Sequence, residues 1–346
     1  MKRTAWLCLV FIITMALPAM GQINIGEKGT LKGLAFGDYY WILFNHNSEL
    51  EGNNGFWFRR IYLTYDHQIS ELFTGRLRLE MNSEGDFTSS SDLAPEVKDA
   101  WLKWTSDDEN HSIAGGITST PTWGLVEDVW GYRSVAKSPL DLYDFSSSRD
   151  FGLSFKGNVD TDGQLKYHFM FANGNSSRDE INQGKKFLFS LSYNLTENFV
   201  IEGYGDWNDA EGNRDSYTAQ GFLGYQSDTF NAGALYAYQL RKNAAVCGDL
   251  NLDLVSLFAN TRVSKKVKVF GRADHLFDPN PTGPGNDFIP FSDQAESTFI
   301  TSGVDLAVDE NVHLIPNVEA IIYGESDTGV RPGTDLIPRL TAFFTF

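Results

Sequence analysis

From Gln22 onward, apolar and polar residues alternate with period two, the repeat of a β-strand that has one face in oil and the other in water. Phe73, Gly75, Leu77, Leu79 and Met81 alternate with Thr74, Arg76, Arg78, Glu80 and Asn82. Leu165, Tyr167, Phe169 and Phe171 do the same against Lys166, His168, Met170 and Ala172, and the dyad returns at Tyr217, Ala219, Gly221, Leu223 and Tyr225. Sixteen such segments can be drawn: 33–45, 56–66, 73–83, 97–105, 111–118, 149–158, 164–172, 186–195, 199–207, 215–226, 229–240, 252–263, 267–276, 298–307, 312–323 and 335–346. Most approach the ~9–11 residues a tilted strand needs to cross a bilayer. Tight links such as Thr196-Glu197-Asn198 and Ser264-Lys265-Lys266 alternate strictly with long polar ones such as 174–185 and 278–297. A soluble β-sandwich also alternates polarity, but it has no reason to sort its connections by parity. The pattern therefore predicts an all-β fold: a transmembrane, antiparallel, up-and-down β-barrel of about 16 strands, closed because an open sheet edge has no partners in hydrocarbon.

Composition sharpens this picture. The chain holds 26 Phe and 14 Tyr, a heavy aromatic load for a polar, acidic protein. Lys2 and Arg3, the apolar run from Ala5 to Leu17 and the small residues around Met20 read as a secretory signal over 1–21, leaving 22–346 as the barrel. Cys8 falls in that signal, so Cys247 remains without an internal disulfide partner. It is expected as a free thiol in the sixth outer loop. A net charge of −17 argues against nucleic-acid partners. The expected surroundings are outer-membrane lipid, with both chain ends on the periplasmic side.

The longest connection, 119–148, carries Glu127, Asp128, Arg133, Lys137, Asp141 and Asp144 among the large aromatics Trp123, Trp130, Tyr132 and Phe145. Aromatics so dense suit an insert packed on a wall rather than a mobile loop. The alternative is an external flap packed on a neighbouring barrel. Strand parity sends Arg60, Arg76, Arg78, Lys103, Lys156 and Lys166 inward, with Glu80, Asp99 and Asp150, because charge facing lipid is costly. The later strands turn Glu202, Asp206, Asp274, Asp305 and Glu319 inward, with Arg262, Arg272 and Arg339. One wall is thus expected to be basic and the other mildly acidic. Arg60, Arg76, Arg78 and Lys103 are expected to form one patch facing Glu127, Asp128, Asp141 and Asp144.

The final alternating segment ends at Phe346, with Leu340, Ala342 and Phe344 on the same face. It resembles the terminal-aromatic strand that the barrel-assembly machinery recognises in bacterial outer-membrane proteins, which makes Phe346 an assembly signal. Phe58-Arg59-Arg60, Val97-Lys98-Asp99-Ala100-Trp101, Pro121-Thr122-Trp123-Gly124 and Ser148-Arg149-Asp150-Phe151-Gly152 resemble the phosphate-selective porin O/P family. The likeness implies a homotrimeric porin whose third loop folds into the lumen as the constriction. Arg133 and Lys137 stand on that loop against four carboxylates. The expectation is therefore a weakly selective channel for passive diffusion of small hydrophilic or charged solutes, with a phosphate- or anion-selective porin as the alternative.

The chain contains no Gly-x-Ser-x-Gly, no His-Glu-x-x-His and no phosphate-binding glycine loop, so no catalytic residue, metal or cofactor is assigned. A barrel hydrolase would need Ser, Asp and His brought together at the outer rim. A structural or adhesive barrel would need a sealed lumen. The acidic stretches 206–215 and 278–287 are read as solvated turns rather than calcium sites.

Overall fold

The computed structural model describes residues 22–90, 92–245 and 248–346. The expected signal at 1–21 and the expected free thiol Cys247 lie outside these residues. Strand β1 (Gln22–Ile25) turns back onto β2 (Gly29–Trp41), followed by β3 (Asn54–Gln68), β4 (Phe73–Met81), β5 (Glu96–Thr105) and β6 (His111–Ser119). Helices α1 (Gly124–Trp130) and α2 (Pro139–Leu142) interrupt the run. Next come β7 (Arg149–Asn158), β8 (Leu165–Ala172), β9 (Lys186–Asn194), β10 (Phe199–Asn208), β11 (Ser216–Gln226) and β12 (Phe230–Ala245). The last five are β13 (Gly248–Ser264), β14 (Val267–Leu276), β15 (Ser297–Asp309), β16 (Val312–Tyr323) and β17 (Asp335–Thr345).

Each strand from β2 to β17 pairs antiparallel with its sequence neighbours, and β17 closes on β2 from Arg339↔Tyr40 to Thr345↔Leu34. Strand β1 pairs with β2 below that seam, Gln22↔Lys32 to Ile25↔Gly29. Between them, the N–H and C=O of Phe346 both bond Gly33. Strands β1 and β17 therefore lie end to end against the same edge of β2, and the ring is a closed sixteen-stranded barrel, as the alternating segments predicted.

The outward face is what lipid requires. Leu77, Leu102, Ile113, Leu153, Leu191, Leu223, Leu257 and Leu340 stand exposed, with aromatics toward the two rims. Phe187 stacks on Trp207 near one rim, and Phe199 meets Tyr225 near the other, at 5.7 and 4.8 Å. These are the girdles of a membrane barrel.

Two details depart from the simple dyad. Register shifts place Arg59 as an extra residue of β3, opposite the Phe36–Gly37 step, and Lys98 as an extra residue of β5, opposite Arg78–Leu79. A β-bulge resets alternation, so Arg59 and Arg60 both face inward, as do Lys98 and Asp99. Connection lengths also fail to alternate at the sixth outer link. There β12 and β13 keep pairing to Ala245↔Gly248, so the projection is a long hairpin instead of an open loop.

The interior is not evenly filled. Phe222, Leu235, Leu254, Phe258, Phe270, Phe299 and Ile315 turn inward from β11–β16 and join a buried apolar cluster with the insert between β6 and β7. The β2–β7 side carries charge instead.

Candidate channel constriction

The insert 120–148 owes its shape to local sequence. Gly131, at φ 72°, ends α1 in the left-handed conformation that glycine adopts freely, and its N–H bonds Glu127 O at 2.8 Å. Pro139 opens α2, where a missing N–H costs nothing. One face of the insert is apolar: Val126, Val129, Trp130, Tyr132, Val135, Leu140, Leu142, Tyr143 and Phe145 are all buried. Tyr132 stacks on Phe270 at 4.1 Å, and Trp130 sets its edge against Phe258 and Phe270. Of the expected anchors, Trp123 alone stays outside this core; it lies under the Arg149 guanidinium and donates to Ser148 O at 2.9 Å.

Side chains of the wall and of the connection 277–296 also catch the insert's carbonyls. Asn260 donates to Trp130 O at 3.0 Å, Gln239 to Phe145 O at 2.5 Å, and Asn280 to Tyr143 O at 3.0 Å. Arg272 donates to Lys137 O, and Arg59 to Val135 O. Buried carbonyls need such partners. The insert is thus fixed across the barrel interior on the β11–β16 side, rather than flapping outside.

The connection 277–296 reinforces it from above. Phe288 is buried under Arg59 and Arg60, whose guanidinium carbons lie 5.7 and 5.9 Å from its ring centre. Below, Arg59 and Arg339 share two carboxylates. Arg59 lies 2.7 Å from Asp38 and 3.0 Å from Glu319, while Arg339 lies 3.3 and 2.7 Å from the same pair. Glu319, expected to line a wet bore, is instead locked in this buried four-membered network.

Open space remains between the insert and the β2–β7 wall. An inner cavity of about 530 Å³ runs toward the short-turn end past Lys32, Arg78, Glu127, Arg149, Lys268 and Asp305. An outer cavity of about 540 Å³ lies toward the long connections past Arg60, Lys137, Asp141, Asp144 and Asp287. Lys98, Arg133 and Ser148 line both. The two cavities therefore share one level of lining, to which Lys98 contributes from the wall and Arg133 from the insert.

The charges here are braced. Glu80 binds Arg60 at 2.7 Å and Lys98 at 2.8 Å; Asp99 binds Arg78 at 3.1 Å and also Arg149. On the insert, Arg133 reaches Glu127 at 3.5 Å and Asp141 at 3.7 Å. Burial pushes the Glu127 carboxyl up to about 7, against the pull of Arg133. Asp141 is half-buried, and although desolvation acts to raise it, Lys137, Arg133, Lys98 and Arg60 together hold its carboxyl below the usual range. Burial lowers the Lys137 ammonium.

Other expected residues lie elsewhere. Arg76 is drawn to Asp66 at 2.6 Å and sits over Trp101, as does Lys103, so neither lines either cavity. Asp128 is exposed, its carbonyl accepts from Gln226 at 3.4 Å, and it too lines neither cavity. The facing patches thus reduce to Arg60, Arg78, Lys98 and Arg149 against Glu127, Asp141 and Asp144, with Arg133 between. Lys156 and Lys166 line a separate, smaller cavity beneath the start of the insert. Arg59 and Lys98 escaped a reading by strict parity, although the doublets Arg59-Arg60 and Lys98-Asp99 are themselves a signal that alternation breaks.

At the outer rim, His46 Nδ1 lies 2.9 Å from Asp335, and Tyr323 donates to the same carboxylate at 2.7 Å. The His46 backbone N–H bonds Asp335 as well, so this cluster ties the first outer connection to β17. Inside, Ser154 and His168 are 2.8 Å apart. Neither group unites serine, histidine and carboxylate among the described residues.

A closed sixteen-stranded barrel, girdled by aromatics and narrowed from within by the connection between β6 and β7, defines the fold class of the outer-membrane porins. Solved structures place it there. The chain is similar to OmpF of Salmonella typhi in complex with daunomycin (TM-score 0.64, 16% identity, covering 94% of this chain and 100% of that one). It is also similar to the anion-selective porin from Comamonas acidovorans (0.65, 12%, 92% and 99%) and to the outer-membrane channel DcaP of Acinetobacter baumannii (0.68, 9%, 94% and 100%). No family model and no curated protein sequence matches the chain. The likeness to the phosphate-selective O/P porins therefore rests on the four short motifs alone.

Proposed function

We propose that this protein is an outer-membrane channel through which small hydrophilic solutes diffuse passively, with weak charge selectivity. The supporting observation is the pair of cavities that share Lys98, Arg133 and Ser148 as lining, one on the side of each end of the barrel. Cations outnumber carboxylates along their lining: Lys32, Arg60, Arg78, Lys98, Arg133, Lys137, Arg149 and Lys268 against Glu127, Asp141, Asp144, Asp287 and Asp305. This local excess opposes the net charge of −17 carried by the chain as a whole. It supports a mild tilt toward anions, limited because Glu80 and Asp99 brace the wall cations from behind. The reading includes insertion by the barrel-assembly machinery, export by the segment 1–21 and assembly as a homotrimer.

The test is single-channel recording of the purified protein across a salt gradient. A small reversal potential on the anion side is expected, moving toward cations when Arg60 and Lys98 are both replaced by alanine. A closed bilayer would sink the channel reading. Block by micromolar phosphate would replace weak selectivity with a phosphate site.

A further inference from the structure

A smaller cavity, about 200 Å³, lies under the first residues of the insert and apart from the bore just described. Its roof is the segment from Ser119 to Leu125, and its walls come from β7–β10. Glu202 stands on its lining with a side-chain oxygen that is buried and has no hydrogen-bond partner, the residue being 7% exposed. A buried carboxylate left so is expensive unless it takes up a proton or something binds it.

The strand registers place its counterparts. Lys166 pairs with Ser192, and Ser192 pairs with Glu202, so a lysine and a glutamate occupy one row with a single strand between them. At the usual strand spacing their backbones are about 10 Å apart. Lys156, across from His168 in the neighbouring row, supplies a second ammonium to the same cavity. Both lysines are exposed at the mouth, and neither forms an ion pair with any carboxylate among the described residues. Between the charges the wall is kept low by Ser190 and Ser192, which leave open space where longer side chains would close it.

We propose that this cavity binds a small zwitterion, of the size of a short α-amino acid, with its ammonium on Glu202 and its carboxylate on Lys166 and Lys156. The room suits it: about 200 Å³ is the share of roughly seven water molecules at ~30 Å³ each. A single anion would leave Glu202 unmatched, and a single cation would leave the lysines unmatched. A ligand bearing both charges at short separation satisfies the row with Glu202 ionised. The hydroxyls of Ser190 and Ser192 can bond the remaining carboxylate oxygens.

The experiment is calorimetric titration of the purified full-length barrel in detergent with L-alanine, acetate and methylammonium, each alone. Alanine should bind about tenfold more tightly than either half-ligand, since it alone meets both charges. In Glu202→Gln, alanine should fall to the level of acetate while acetate is held as before. In Lys166→Gln, alanine and acetate should both weaken. Equal binding of alanine and acetate by the unaltered protein overturns the proposal, and so does alanine binding that ignores Glu202→Gln. Conductance of the unaltered protein, recorded from the same preparation, keeps this outcome separate from the channel reading, because the bore can conduct whether or not the cavity is occupied.

Discussion

Replacing Arg59 with alanine should destabilise the barrel by about 3 kcal/mol, the low end of the ~3–5 kcal/mol expected when one partner of a buried ion pair is removed. The reasoning starts from the count of charges. Arg59, Arg339, Asp38 and Glu319 are buried together, two cations on two carboxylates. Without Arg59, a net negative charge stays inside, but Arg339 still reaches both acids, so the penalty is partly relieved. Asp38→Asn alone should destabilise too, because it strands the opposite sign beside Thr341 and Trp57, which both donate to Asp38. Arg59→Ala combined with Asp38→Asn restores neutrality. The double variant should therefore be more stable than the sum of the two single losses by ~1–3 kcal/mol. Urea unfolding from lipid vesicles, followed by tryptophan fluorescence, measures all four proteins of the cycle. A single-variant loss below ~1 kcal/mol, or strict additivity of the pair, would show that the network does not act as a unit.

Other consequences can be read separately. Because burial raises Glu127 to about 7, it is largely protonated below that pH and gains a negative charge above it. Reversal potential should then shift toward cations as pH rises from about 5 to about 9, and Glu127→Gln should abolish the step. Deleting Phe346 should reduce the amount of assembled barrel more than it alters conductance. Gly33→Val should do the same, since a Cβ at Gly33 would lie 2.3 Å from the Phe346 ring; heat-modifiable gel mobility reports both, and normal yields of either variant would refute the packing argument. Cysteines at Ser177 or Thr282 should label on intact cells, whereas one at Asn198 should not, and the reverse pattern would invert the orientation.

The strands were legible because each had one face in lipid, and lipid enforces the dyad along each strand except where a bulge resets it. Sheet closure and the even count followed from the same constraint. The inner face was harder. On β4, Thr74, Arg76, Arg78 and Glu80 mark the lumen by polarity, but on β11–β16 the inward Phe222, Phe258, Phe270 and Ile315 are as apolar as their outward neighbours. Their partners are the valines and aromatics of the insert, and a strand's own sequence carries no trace of a surface brought from a hundred residues away. The aromatics at 119–148 did announce an insert packed on a wall. Which charges would meet across the bore was not legible, because the bulges at Arg59 and Lys98 shift parity, and Arg76 prefers a carboxylate on its own sheet.

The lopsided filling of the barrel divides the work between its two halves. On the β11–β16 side, the inward apolar residues are part of a dry core that holds the insert in place, so changes there are expected to be felt as lost stability. On the β2–β7 side, the cavity-lining residues outside the buried Arg59–Asp38 network, such as Lys32 and Lys98, border open space and can change charge with less effect on packing. A lineage carrying this fold could therefore retune what it admits by altering a few positions on the wet half, while the other half keeps the aperture the same width.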